Sequence, residues 1–427
     1  MGASAEIAPV TPPEQAAGLP GAGRGPALRR LLATLRWLHT AHSAVLFAGS
    51  LICGLFVSSV LIVLSTPQVR GDWGYLFRYP GYTLGKTFGL LGSAYGALLK
   101  GAVADPAAFQ RAFAHPAAAT WTTALTPLSN TIVAAVPLII AGVGLSLAFR
   151  SGAFNVGGQS QLIMGAVAAS WVGFSFASMP WLPHVLLGFA AAMAGGAIAG
   201  LIPGVLKALT GASEIIVTIM LNYVAANLLT YLLTNTFFRV PGAGNNPVGR
   251  LTVASATLGP IFGSGLQVNS GLIVTVIVVI FVSVLLNRSR LGFEFQIAGS
   301  SRAAAKVAGI RQAWVYIGAF ALSGAIVGLA GGVQILGVSQ QLETGFGGDI
   351  GYLAILVAFV GANKPWGIVL AGLLYGALEA GGLTMQFNAG ISADMTTVIQ
   401  SLIVLFITAP ALVTGIFRLR QRGGVPV

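Results

Sequence analysis

The residues best suited to chemistry in this 427-residue chain are amides, not nucleophiles or metal ligands. Asn155, Gln159 and Gln161 fall within residues 151–165, a Gly-rich stretch between the apolar runs 131–149 and 162–176. Each run is barely long enough to cross a bilayer, which takes about 20 apolar residues per helix. The three amides therefore sit at or inside a membrane boundary. An unpartnered amide in hydrocarbon costs roughly 4 to 8 kcal/mol on an alkane scale, so each must meet water, protein or a polar ligand. Irregular backbone at that depth is tolerated only where it is buried in protein or lines a cavity. Two readings fit: a wet loop at the membrane edge, or a stretch of substrate pathway whose donors and acceptors hold a neutral polar solute.

Other polar groups in apolar surroundings are few. Asn222 lies two turns into a run opened by Ser213 and Glu214, where Ser213 is placed to cap and Glu214 to meet the positive end of the helix dipole. Glu379 stands in mid-helix, either as a functional carboxylate or paired with a bundle amide. Asp349 and Asp394 lie near helix starts, where the dipole explains them. Cys53 is the single cysteine, and His39, His42, His115 and His184 lack ligand spacing, so no metal site is expected. The segment 80–87 ends in Gly-Lys-Thr but lacks the first glycine of a phosphate loop. Without paired carboxylates or an activated Ser or Cys in the spans, an intramembrane enzyme is a weak reading.

The elements that must position these residues are membrane helices. The chain is 56% hydrophobic and 7% charged, with a mean hydropathy of +0.86, too few charges to cover a soluble surface. Its formal charge of +12 is scattered between apolar spans, as expected of positive cytoplasmic loops rather than a nucleic-acid face. Residues 1–40 read as a disordered cytoplasmic tail and 41–420 as a transmembrane domain. About ten spans are expected, at 43–65, 130–149, 159–177, 184–207, 214–236, 272–286, 314–337, 352–362, 366–382 and 393–416. Gly195, Gly196 and Gly200 in the fourth allow close helix packing. Residues 66–129 read as an extracytoplasmic amphipathic connector. Residues 288–312 form a basic loop carrying a short helix over 302–308, capped by Ser300 or Ser301 and stopped by Gly309. That loop is either simply solvated or a docking element.

The rhythm of spans repeats after the fifth. Each half has an odd number of spans and a Gly-rich break with a Phe, Phe154 in one and Phe346 in the other. The expectation is therefore an all-α protein of two inverted five-helix repeats, with a site at the repeat interface drawing on both breaks.

Three stretches carry a resemblance. Phe154-Asn-Val-Gly-Gly-Gln-Ser-Gln161, Ser213-Glu-Ile-Ile-Val-Thr-Ile-Met-Leu-Asn-Tyr223 and residues 299–310 are similar to F-N-I-G-x-E-G-Q, N-E-[VI]-[IV]-x-T-I-M-L-N-[YF] and G-x-N-P-x-A-A-x-Y-A-G-I. These are motifs of the ABC-importer permeases that serve nucleosides, simple sugars and branched-chain amino acids, and the chain most resembles the nucleoside-uptake branch. Gln159 stands where that family usually has Glu, and Ser301-Arg302 replaces Asn-Pro. The resemblance implies a multi-pass inner- or plasma-membrane subunit with both termini cytoplasmic, and no cofactor of its own. It implies separate cytoplasmic ATPase subunits that use ATP and magnesium, a second permease subunit, alike or paralogous, and an extracytoplasmic binding protein. It makes the chain a transport subunit for nucleosides or nucleobases, with simple sugars as the alternative. An ion-coupled transporter using Glu379 is the other. The implied pathway comprises Phe154, Asn155, Gln159, Gln161, Asn222, Phe346 and Tyr352, amides for hydrogen bonds and aromatic faces for a ring. The implied ATPase-coupling residues are Gly299, Ser301, Arg302, Lys306 and Gly309.

Overall fold

The computed structural model describes residues 49–242, 246–263 and 265–408. The tail at 1–40 and the closing basic residues Arg418, Arg420 and Arg422 lie outside them. Helix α1 (Gly49–Ser65) bends by 83° into the next helical turns. There follow α2 (Pro67–Asp72), α3 (Pro80–Ala102), α4 (Pro106–Ala114) and α5 (Ala118–Arg150). Next come α6 (Gly158–Ser175), α7 (Trp181–Thr210), α8 (Glu214–Thr234) and α9 (Gly271–Arg288). The chain continues through α10 (Arg290–Ser300), α11 (Arg302–Val307), α12 (Gln312–Gln334), α13 (Ile350–Val360), α14 (Pro365–Ala389) and α15 (Ala393–Thr408). Among the described residues there are isolated bridges but no strand.

The protein is an all-α, multi-pass membrane protein. Six described helices, α5, α7, α8, α9, α12 and α14, are long and apolar enough to cross a membrane, and the bent α1–α2 pair is a seventh candidate. The other three expected spans are helical but different in kind. α6 has 18 residues and opens on Gln159, Ser160 and Gln161. α15 has 16 residues and α13 only 11. At 1.5 Å per residue α13 is about 16 Å long, half of a hydrocarbon core of about 30 Å.

Glycine sets the packing of the core. α12 lies against α5, α6 and α7, and a Cβ on Gly196 of α7 would overlap the Gly324 carbonyl of α12, as one on Gly328 would overlap Ala192. Bare backbone lets these helices touch, and dispersion between close backbones replaces the hydrophobic drive that lipid does not supply. α8 and α9 turn Ile216, Met220, Val224, Ile273, Ile277 and Phe281 outward, as helices facing acyl chains or another apolar surface do.

Boundaries differ from the sequence reading at α14, which runs to Ala389, seven residues past the expected end, and at α5. α5 begins at Ala118, twelve residues before the expected start, and carries Pro127 and Pro137 inside it. Thr123 and Thr126 interrupt the apolar run, but their hydroxyls donate to the carbonyls of Ala119 (2.9 Å) and Thr122 (2.8 Å). Such i−4 bonds satisfy a hydroxyl within its own helix, so the helix continues. In the 66–129 connector, α3 is a continuous 23-residue helix that buries Ala94, Ala97 and Leu98 against Ile62, Leu378 and Ile403. Its Tyr95 hydroxyl donates to the Leu55 carbonyl at 2.8 Å.

Candidate functional site

The first break starts where α5 ends. Arg150 Nε donates to the Asn363 carbonyl at 2.8 Å, and Gly152 turns the chain with φ +77°, a conformation natural to glycine. Asn155 follows, fully buried. Its Oδ1 accepts from the Gly157 N–H at 2.9 Å, and its Nδ2 donates to Ser323 Oγ of α12 at 3.1 Å and Gln161 Oε1 at 3.2 Å. Gln161 Nε2 returns a bond to Asn155 Oδ1 at 3.3 Å. Asn222 reaches in from α8, accepting from the Ser160 N–H at 2.9 Å and donating to the Val156 carbonyl at 3.0 Å. It thereby satisfies one of the first-turn donors that every helix leaves free.

Gln159 joins this break to the other one. Its Nε2 donates to the Gly348 carbonyl at 2.9 Å, and its Oε1 accepts from the Gly351 N–H at 2.9 Å. The backbones touch at the same point, since a Cβ on Gly158 would lie 2.7 Å from the Gly351 carbonyl and one on Gly351 would overlap Gln159. Gly345, Gly347 and Gly348 bring the second break there with φ of +80°, +76° and +45°. An amide is the side chain this clasp requires, because a carboxylate at 159 can accept from Gly351 but cannot donate to Gly348. The departure from the Glu of the resembling motif thus has a local reason.

The expected pathway residues therefore divide. Asn155, Gln159, Gln161 and Asn222 meet in one hydrogen-bonded network, with Phe346 buried beside it. Phe154 is 40% exposed and stacks on Phe359, and Phe149 completes the cluster with centroid separations of 4.8 to 5.7 Å. Tyr352 is half-exposed.

A cavity of about 550 Å³ opens between the second break, α14 and α15, bounded by Gln334, Glu343, Asp349, Glu379, Thr396 and Gln400 among others. Among the described residues, no Lys or Arg lines it. The bundle amide expected to pair with Glu379 does not do so: its carboxyl group has no hydrogen bond or ion pair among the described residues. Asp349 precedes α13 without a side-chain capping bond. Gln334, Thr396 and Gln400 were not singled out from sequence. Gln400, interrupting Val398-Ile399 and Leu402-Ile403, was the signal available.

The capping expected of Ser213 is also absent. Glu214 instead accepts from Lys207 Nζ at 2.7 Å, joining α7 to α8 across Gly211. His184 is buried, its ring nitrogens 3.0 Å from Ser255 Oγ and the Val172 carbonyl.

The basic loop at 288–312 holds two helices rather than one. Ser289 Oγ accepts from the Gly292 N–H at 3.1 Å to start α10, and Arg290 pairs with Glu294 at 2.9 Å one turn on. Ser301 Oγ, not Ser300, accepts from Ala304 N–H at 3.2 Å to start α11, and Gly309 ends the loop helix with φ +74°. Arg302 and Lys306 are exposed, while Ala305 packs with Phe295, Ala298, Val315 and Ala319. Gly299 seats on the end of α5, where a Cβ would overlap the Arg150 carbonyl and lie 2.9 Å from Gly152 N. Beside it a groove of about 370 Å³ exposes Phe293 and Trp314.

The model of the family described as branched-chain amino acid transport system / permease component matches residues 128–408, which include both breaks, the cavity and the basic loop. The chain belongs to this family. Among its relatives, this permease is 35% identical over 307 residues to a glucose ABC transporter permease protein of Haloferax volcanii, covering 70% of this chain and 79% of the relative. It is 30% identical over 302 residues to a guanosine ABC transporter permease protein of Bacillus subtilis, covering 69% and 85%. To a nucleoside ABC transporter permease protein of Lactococcus lactis it is 32% identical over 277 residues, covering 64% and 76%.

Proposed function

We propose that this permease is the membrane subunit of an ATP-driven importer, and that its solute is a nucleoside or nucleobase. The family match over residues 128–408 carries the reading. The guanosine and nucleoside relatives favour the solute, and the glucose relative makes a simple sugar the second reading. A cavity that no described Lys or Arg lines suits either neutral solute. The N-terminal tail, α10 and α11 then face the cytoplasm, and both termini lie on that side of the inner or plasma membrane. Cytoplasmic ATPase subunits, which bind ATP and magnesium, dock at Arg302 and Lys306 and in the groove of Phe293 and Trp314. A second permease subunit, the same or paralogous, and an extracytoplasmic binding protein complete the assembly.

The packing offers a route for coupling. Closure of the ATPases moves α10 and α11, and Gly299 bears on the Arg150 carbonyl at the entrance to the first break. The break is tied to α12 by Asn155 and to α8 by Asn222, and Gln159 carries its displacement to the second break, which forms a wall of the cavity. Each link is a packed or hydrogen-bonded contact, so motion at one end biases the other. The test is affinity recovery of the permease from detergent, as wild type and with Arg302→Glu and Lys306→Glu together. Recovery of an ATPase subunit with the wild type and its loss with the double variant are expected; equal recovery with both places docking elsewhere.

A further inference from the structure

The geometry points to the cavity at the second break as the solute-selecting site of the permease, built for a neutral, hydroxyl-bearing ring and against its phosphorylated or carboxylated forms. This inference rests on the transport reading above. The first break is self-satisfied: Asn155, Gln161 and Asn222 are all buried and bonded to protein. The cavity wall is not. Thr396 is 7% exposed, yet its Oγ1 is buried without a partner, and the Gln400 amide, also without one among the described residues, reaches the open space. Buried polar groups left without partners are destabilising in a folded protein unless something else satisfies them. These two groups border the same space as the unpaired carboxyl group of Glu379.

The chemistry of the wall defines what fits. Glu343, Asp349 and Glu379 supply acceptors, and among the described residues no Lys or Arg supplies a counter-charge. Ring hydroxyls and ring N–H groups are donors to such acceptors, and the Gln400 amide can both donate and accept toward the same ring. A phosphate group adds a charge of about −1.5 to −2, which the exposed carboxylates of Glu343 and Asp349, with no cation beside them among the described residues, repel. At about 550 Å³ the space lies within the roughly 300 to 1,000 Å³ of small-molecule sites. Its wall includes Gly345, Gly347 and Gly348, and Gly348 is held by Gln159. Movement of the clasp therefore reshapes the cavity directly.

The experiment uses the whole importer in proteoliposomes, supplied with ATP and the binding protein, and the uptake of tritiated adenosine, uridine, ribose and glucose. Thr396→Val replaces the hydroxyl by a methyl of the same shape. Because that hydroxyl has no partner, the variant is expected to melt no lower than wild type, while its KM for the transported solute rises at least about fivefold. Glu379→Gln, recovered with its ATPase at wild-type yield, is expected to raise KM at least about tenfold. A purely structural role for Thr396 predicts a lower melting temperature and an unchanged KM. Wild-type KM in both variants overturns the cavity assignment and leaves the transport reading standing. If the wild type moves none of the four solutes, the nucleoside and simple-sugar readings of the solute fail, and this inference fails with them.

Discussion

Replacing Gln159 and Gln161 in turn by Leu separates two amides that look equivalent in sequence. Gln159→Leu removes a donor from the Gly348 carbonyl and an acceptor from the Gly351 N–H, both 2.9 Å bonds, the second buried and the first at the exposed Gly348. Gly351 lies in the first turn of α13, where the helix offers its N–H no internal partner. The buried Gly351 N–H left unsatisfied costs about 1–3 kcal/mol, and the bond to the Gly348 carbonyl, which water can reach, about 0.5–1.5 kcal/mol, together about 1.5–4.5 kcal/mol. Gln161→Leu breaks only the longer bonds to Asn155, at 3.2 and 3.3 Å, while Asn155 keeps Ser323 and Gly157. No group of Asn155 is wholly orphaned, and the two lost bonds cost about 1–3 kcal/mol at about 0.5–1.5 kcal/mol each. Thermal unfolding of the purified permease in detergent, followed by fluorescence-detected size exclusion, reads the difference. Gln159→Leu should melt below Gln161→Leu, and both below wild type. Equal losses, or a larger one at Gln161, would refute the clasp between the two breaks.

Gly158→Ala and Gly351→Ala should each abolish recovery of folded permease, because the added methyl meets backbone of the opposite break; size-exclusion profiles check this. Gly299→Ala forces α10 off the Arg150 carbonyl and should lower uptake at least about tenfold while the ATPase still co-purifies, as measured by uptake and pull-down on the same membranes. Glu214→Lys should destabilise by about 1.5–3 kcal/mol, the range for a hydrogen bond to a charged group, and the double exchange Lys207→Glu with Glu214→Lys should recover most of it in a melting experiment, since the pair is 2.7 Å apart and partly buried.

Much of this architecture can be read from sequence, and its limits are physical. Long apolar runs identify the spans, because hydrocarbon leaves helix as the only way to satisfy the backbone. The two Gly-rich breaks stand out because few other polar clusters interrupt those runs, and their pairing through Gln159 follows the rhythm of the halves. Ser301 and Gly309 bound the loop helix as capping chemistry requires. Legibility ends where tertiary contact decides. That Asn155 and Gln161 satisfy each other depends on how α6 folds back, and no spacing rule contains it. α10 is short and half-solvated, held by Ser289 and the Arg290–Glu294 pair, so it shows no apolar period. The polar wall of the cavity gathers Gln334, Glu379, Thr396 and Gln400 from three helices, and only packing brings them together.

The most direct measurement is uptake of tritiated adenosine, uridine, ribose and glucose by cells carrying the whole importer, after ATP depletion in one arm and collapse of the proton gradient at constant ATP in the other. Uptake that stops with ATP depletion and survives loss of the gradient is the predicted result. Uptake that survives ATP depletion but stops with the gradient would contradict the account and make Glu379 the carboxyl group of an ion-coupled transporter.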